Sequence, residues 1–279
     1  MDFVKKDFYT IEDLLKVVEM LRDPVNGCEW DRVQTHLSVR KDFIEETYEA
    51  VDAIDNNDKE LMLEEFGDVM LQVLLHCQME KEQGSFTFED VVNALAQKLV
   101  LRHPHVFKGL KVNGVEDVLN NWEAIKNDSH GHTTISQTVN AVPHSFPSLM
   151  YAQKVQKRVA VGGLPVPDKK EEIANIRAIL DRLENSQTAD ESQLGDLLFS
   201  CVNLVRQNKM DSEMVLREKN RNFVEIFNNF ENLALQKDIP FDTMENATFK
   251  ELWIQAQKPD EKNKPEDKYN DKSRTYRTC

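Results

Sequence analysis

Glu45-Glu46-Thr47-Tyr48-Glu49, then Asp55-Asn56-Asn57-Asp58, then Glu65-Phe66-Gly67-Asp68 are the stretches whose reading decides the fold. Around the first, Phe43, Thr47, Val51 and Ile54 recur at steps of three and four, which predicts a helix from about Ser38 to Ile54. Around the third, Leu61, Phe66, Val69, Met70, Val73 and Leu74 predict a second helix, inward on that face and running to about Gln83. The four polar residues between them leave room only for a tight turn, so the two helices are antiparallel neighbours. Glu46 and Glu49 are three apart, as are Glu65 and Asp68, so each pair projects from one helix face and the pairs can oppose each other. Carboxylates converging beside an apolar core repel unless a cation sits among them, and an all-oxygen set favours Mg²⁺ or Mn²⁺. The competing reading is a solvated acidic face, the usual fate of a Glu-rich run. Gly67 weighs against it: a mid-helix glycine costs about 1 kcal/mol relative to alanine and suggests close approach of a backbone or a ligand.

Outward from this hairpin the spacing stays helical. Thr10 with Asp13 caps a helix carrying Leu14, Leu15, Val18 and Leu21, which Pro24 stops. Thr87 with Asp90 caps another carrying Val91, Val92, Leu95 and Leu99, ended by Pro104, and a short helix near Val118 to Lys126 holds Trp122. Residues 127–147 change to Asn, Asp, Ser, His-Gly and Pro, as a linker would, and further helices follow near 148–160, 169–184, 190–208, 212–236 and 243–257. The stretch from Leu63 to Val73 resembles that from Glu191 to Cys201, with Gly67-Asp68 matching Gly195-Asp196. The expectation is an all-α chain of two tandem helical-bundle modules. A first domain spans 1–128, a linker 129–147 and a second domain 148–257. The tail, 258–279, is rich in Lys, Asp, Glu, Asn and Pro and is expected to be disordered.

Composition agrees. Nine Gly and nine Pro in 279 residues are too few for a turn-rich barrel or sandwich. Forty-nine acidic against 35 basic side chains leave a net charge of −14, which repels nucleic-acid backbones and anionic lipid, so neither is an expected partner. Cys28, Cys77, Cys201 and Cys279 form no C-x-x-C pair. A charged N-terminus and the lack of a long apolar run lead to the expectation of a cytoplasmic protein.

Glu45-Glu46-x-x-Glu49, a spacer, then Glu65-x-x-Asp68 resembles the signature of the MazG family of nucleoside triphosphate pyrophosphohydrolases. The likeness extends through Cys28-Glu-Trp30-Asp31-Arg32-x-Gln34-Thr35-His36, where the family usually has Pro in place of Glu29. It continues over Gly67-Asp68 to His76 and Gln78, Lys98 to Phe107, and Trp122-Glu-x-Ile-Lys126. The resemblance implies an all-α bundle related to dimeric dUTPases, which binds Mg²⁺ and converts a nucleoside triphosphate to the monophosphate and pyrophosphate. It implies Glu46, Glu49, Glu65 and Asp68 as metal ligands, and Glu45 as the group orienting or activating the attacking water. Lys98 and Arg102, four apart on one helix face, are candidates for the phosphates, although cations near a helix C-terminus also complement its dipole. Lys126 is a further phosphate candidate; Trp30, Gln34 and His36 are candidates for base or substrate contact. Trp122 reads as core, and His103-x-His105 lacks a third metal ligand nearby. A homodimer is expected, because a short hairpin module leaves an apolar face to cover.

The second module keeps the frame and loses the chemistry. Glu171-Glu172-x-x-Asn175 has an amide at the third acidic position, Gln193 stands three before Asp196, and Asn222 and Glu225 fall at or beside positions usually basic. Aligning by the spacing to Gly-Asp puts Ala174 and Arg177 there instead; either way the ligand set is incomplete. Two other readings are a di-iron carboxylate protein, which needs Glu-x-x-His pairs absent here, and a non-enzymatic helical adaptor.

Overall fold

The computed structural model describes residues 4–129, 134–186 and 190–258, and among them every regular element is helical. The chain divides into two compact units, Met1–Lys126 and Asn127–Cys279. The expected disordered tail lies outside the described residues, apart from Lys258.

In the first unit, α1 (Ile11–Leu21) opens on the Thr10–Asp13 capping box, α2 (Arg40–Asp55) and α3 (Lys59–Glu82) form the hairpin, and α4 (Phe88–Arg102) opens on the Thr87–Asp90 box. A one-turn α5 (Pro104–Phe107) and α6 (Val115–Ser129) follow. The α2–α3 turn is built by Asn57 in the left-handed region (φ 53°) and by Asp58, whose carboxylate accepts from the N–H groups of Glu60 and Leu61. The core gathers Val18, Val39, Leu74, Leu75 and Met79, with Leu14, Leu15, Leu71 and Phe88 against it. Burying such side chains is worth about 1.5–3 kcal/mol each.

Two sequence expectations are corrected here. Phe66 and Met70 lie exposed on α3, because α2 covers only one side of that helix and Leu74 and Leu75 take the core positions. Apart from Gly67's chain neighbours and its own helix backbone, nothing among the described residues comes within 4 Å of where a Cβ on Gly67 would stand, so none of them makes the close approach expected there.

In the second unit, α7 (Ile135–Asn140) and α8 (Ser148–Val161) precede α9 (Lys169–Glu184), α10 (Glu191–Gln207), α11 (Ser212–Gln236) and α12 (Asn246–Ala256). α7 falls inside the stretch read as linker. Thr134 and Gln137 make a capping box, Arg158 donates to the carbonyl of Thr138, and Ile135 packs where a side chain on Gly162 would stand. The remainder of that stretch includes residues outside those described. α9 and α10 repeat the hairpin of α2 and α3, and a core of Phe230, Ala234, Leu252 and Ala256 joins α11 to α12.

Candidate active site

α2 and α3 bring their acidic rows together. One carboxylate oxygen from each of Glu46, Glu49 and Glu65 lies within 4.8 Å of the others, and no other His, Cys, Asp or Glu group of this kind occurs among the described residues. Asp68 stands outside that tight triplet, yet its charge acts on both Glu46 and Glu65. Glu65 is 8% exposed, and its buried Oε2 has no hydrogen-bond partner. Burial, then the charges of Asp68, Glu49, Glu65 and Glu45, holds the Glu46 carboxyl above its ordinary range. Burial, then Glu49, Asp68 and Glu64, does the same to Glu65. A buried carboxylate oxygen with no donor, facing like charges, is unstable as it stands. The residues present therefore fit a hard divalent cation, which would answer the orphaned oxygen and the repulsion together. Glu45 is exposed at the edge of the cluster, paired with Lys41 at 3.5 Å.

The basic candidates lie on other helices. Lys98 is exposed on α4. Arg102 lies with its guanidinium carbon 5.4 Å from the centroid of the Trp122 ring, and His103 meets the same ring edge-on at 4.8 Å. Arg102 Nε is buried without a partner. Trp122 is thus a platform for a cation, a role that its reading as core did not include. Lys126 is half-buried on α6.

The segment between α1 and α2 is held against α3 by contacts that sequence reasoning did not foresee. Arg22 donates from Nε and Nη2 to Glu82 at 2.9 and 2.8 Å, and from Nη1 to the carbonyls of Asp31 and Gln34. Further along, His36 stacks on His76 with ring centroids 4.9 Å apart. Its Nδ1 meets His76 Nδ1 at 2.6 Å and its Nε2 meets Glu80 at 2.7 Å. Burial, then the neighbouring ring, lowers the pKa of His76, which favours a neutral ring there. His76 and Glu80 are four apart on α3, the one signal in the sequence that they share a face. Gln34 donates to the Trp30 carbonyl and accepts from Ser38. The polar atoms of Gln34 and His36 are thus occupied within the protein, whereas Trp30, 56% exposed, presents its indole to solvent.

In the second unit, Glu172 and Asn175 both reach α10: Asn203 donates to Glu172 Oε2 at 2.5 Å, and Asn175 donates to Ser200 Oγ at 3.0 Å. Those bonds set Glu172 and Asn175 opposite Asn203 and Ser200, C-terminal to Asp196 on α10.

Comparison with known proteins bears on this geometry. Residues 34–107 match the model of the MazG nucleotide pyrophosphohydrolase domain. A nucleoside triphosphate pyrophosphohydrolase of Escherichia coli K12 is 36% identical over 255 residues, covering 89% of this chain and 97% of the relative. The nucleoside triphosphate pyrophosphohydrolase/pyrophosphatase MazG of Thermotoga maritima is 37% identical over 252 residues, covering 90% and 96%. An uncharacterised Bacillus subtilis protein, YabN, is 36% identical over 255 residues, which are 52% of its own length. The family match and these relatives, with the all-α fold, place the chain in the class of all-α hydrolases acting on phosphoric anhydride bonds. Within that class it belongs to the MazG family of nucleotide pyrophosphohydrolases.

Proposed function

We propose that the first unit hydrolyses nucleoside triphosphates to the monophosphate and pyrophosphate with Mg²⁺, Mn²⁺ serving in its place. The observation that carries this is the Glu46–Glu49–Glu65 triplet with its orphaned, buried Glu65 oxygen. The names of the full-length relatives support the reaction. Glu46, Glu49, Glu65 and Asp68 would hold the ion, which when bound neutralises phosphate charge and polarises the scissile linkage. Glu45, the exposed carboxylate at the edge of the cluster, takes a proton from the water that attacks the α-phosphorus. The bond from that phosphorus to the bridging oxygen breaks, and pyrophosphate leaves with the electron pair. Lys98, Arg102 and Lys126 contact the phosphates, and Trp30 stacks on the base. Gln34 and His36 support this by holding the Trp30 segment in place. The acidic surface alone repels a triphosphate, so these cations also recruit it.

The second unit, with Asn175 and Gln193 in place of carboxylates, serves assembly in this reading. The protein acts as a cytoplasmic homodimer. No helix among the described residues is long and apolar enough to cross a membrane, and a net charge of −14 argues against nucleic acid as a partner. The adaptor reading gives way to the family membership, and a di-iron centre lacks histidine in the cluster.

The test is a screen of common NTPs and dNTPs with Mg²⁺, resolving products. Monophosphate and pyrophosphate are expected; diphosphate and phosphate as primary products would overturn the proposal. In the full chain, Glu49→Gln should abolish turnover, while Asp196→Asn should leave it unchanged. Loss of turnover in Asp196→Asn would move the chemistry to the second unit.

A further inference from the structure

The His36–His76 contact that ties the segment between α1 and α2 to α3 has room for a single proton. The two Nδ1 atoms stand 2.6 Å apart, so one is a donor N–H and the other an acceptor. The other nitrogen of His36, Nε2, meets Glu80 at 2.7 Å, which fixes it as a donor to that carboxylate. Two protonation states satisfy this arrangement. With both rings neutral, His76 Nδ1–H donates to His36 Nδ1. With one proton added, His36 carries N–H at both nitrogens and donates to Glu80 and to the bare Nδ1 of His76. A second proton sets N–H against N–H between stacked cations with centroids 4.9 Å apart, and the contact is lost.

The groups around the pair do not favour that second proton. α3 contributes Glu80, already bonded to His36, and α2 contributes the Phe43 ring against His76, with Arg40 and Asp42 beside it in the helix. α1 contributes Arg22, committed to Glu82 and to two carbonyls of the segment. Burial, then the charge of His36, acts on His76, and both oppose its protonation. The His36 side chain is 40% exposed, so protons reach the pair from solvent. The bonds next to the contact are short-range: Ser38 and Val39 donate to the Thr35 carbonyl at 3.1 and 3.3 Å, and Thr35 N–H donates to Ser38 Oγ at 2.9 Å. Ser38 Oγ donates in turn to Gln34, whose amide holds the Trp30 carbonyl. The Arg22 anchor keeps its charge where histidines titrate, since Glu82 lies below its ordinary range.

We propose that the His36–His76 contact is an acid-released latch: it opens once both rings are charged, loosening residues 35–39 and with them the Trp30 indole, and so weakens nucleotide binding. The last step rests on the reading of Trp30 as a base contact given above. Proton counting sets the direction. The closed pair takes up at most one proton and the open pair two. Below 6.5, the ordinary histidine value, the open form therefore gains by up to about tenfold per pH unit until His76 titrates in the closed form.

The experiment is hydrogen exchange of the full chain between pH 7.5 and 5.5, without metal or nucleotide. It is read by mass spectrometry and corrected for the intrinsic pH dependence of exchange. Protection of residues 35–39 should fall by up to about tenfold between pH 6.5 and 5.5, while peptides of the α11–α12 core hold theirs. His76→Phe keeps a ring against Phe43 and removes the titrating nitrogen. In that variant protection should hold or rise in acid, because the remaining His36–Glu80 bond gains charge. His36→Phe, the second variant, should show no acid loss either. Glu80→Gln should keep the loss, because its amide oxygen still accepts from His36. Protection that stays flat in the parent, or that falls equally in His76→Phe, would overturn the latch. Failure of both ring variants to fold would do the same, marking the pair as core packing. KM for the nucleotide should rise more between pH 7.5 and 6.0 in the parent than in His76→Phe. A latch that opens without that difference would overturn the part assigned to Trp30 and leave the latch standing.

Discussion

Glu65 carries a conflict that only its surroundings create. On a solvated helix face it would be an ordinary carboxylate. At 8% exposure beside Glu46 and Glu49 its charged form is disfavoured. The consequence for stability has a definite sign. Between the ordinary value of 4.5 and the raised value, the folded chain holds more protons at Glu46 and Glu65 than the unfolded chain does, so their effect on stability worsens as pH rises through that window. Glu65→Gln removes its share. Without divalent ions, that variant should melt at or above the parent's temperature at pH 7, the difference closing as pH falls below about 4.5. With saturating Mn²⁺ the order should reverse, since only the parent gains the full binding free energy. Melts at both pH values with and without Mn²⁺ check this; a variant less stable than the parent in metal-free buffer at pH 7 would count against a strained cluster. Glu49→Gln and Asp68→Asn should likewise abolish turnover while the metal-free fold holds or strengthens, because each removes a like charge. Full activity in either would rule out the site.

α1, α3 and the segment between α1 and α2 act together. Arg22, buried at the end of α1, reaches Glu82 near the end of α3 and two carbonyls of the intervening segment. This pair holds Glu82 below its ordinary range, chiefly through the hydrogen bonds from Arg22. Arg22→Ala should cost roughly 2–3 kcal/mol, less than a fully buried pair, because Glu82 is 37% exposed and rehydrates. Denaturant unfolding measures it, and a loss below about 0.5 kcal/mol would show that the segment is held by other groups. The His36–His76–Glu80 contacts form a second anchor for the same segment. His76→Ala should therefore raise KM for the nucleotide more than it lowers kcat, since Trp30 loses its support while the carboxylates stay in place. An effect on kcat alone would point to a direct part in the chemistry.

The apolar faces that the units leave uncovered concern the molecule as a whole. No residue of α4 is buried, and Val92, Leu95 and Leu99 form an exposed stripe on it; Phe66 and Met70 are exposed on α3. A second copy is the occupant expected for such a surface in a protein read as a homodimer. Leu95→Glu should shift the protein from dimer to monomer in sedimentation while leaving its helical content intact. A parent protein that sediments as a monomer at micromolar concentration would end the dimer reading.

Most helix positions, two of the caps, the acidic hairpin and the repeat were legible in the chain, because each depends on residues within a few positions of one another. Thr10 with Asp13, Thr87 with Asp90 and the paired carboxylates on α2 and α3 are local signals of this kind. The small α7 escaped notice because its Thr134–Gln137 box lies in a stretch whose composition resembles a linker. Which carboxylates crowd together, and that Asp68 stands just outside the triplet, was decided by how two helices pack, since the rotation of each helix about its axis sets which ligand atoms meet. Arg22 with Glu82, and His36 with His76, are 60 and 40 residues apart in the chain. No local pattern joins them, and only the tertiary structure could reveal that Gln34 and His36 are engaged inside the protein while Trp30 faces solvent.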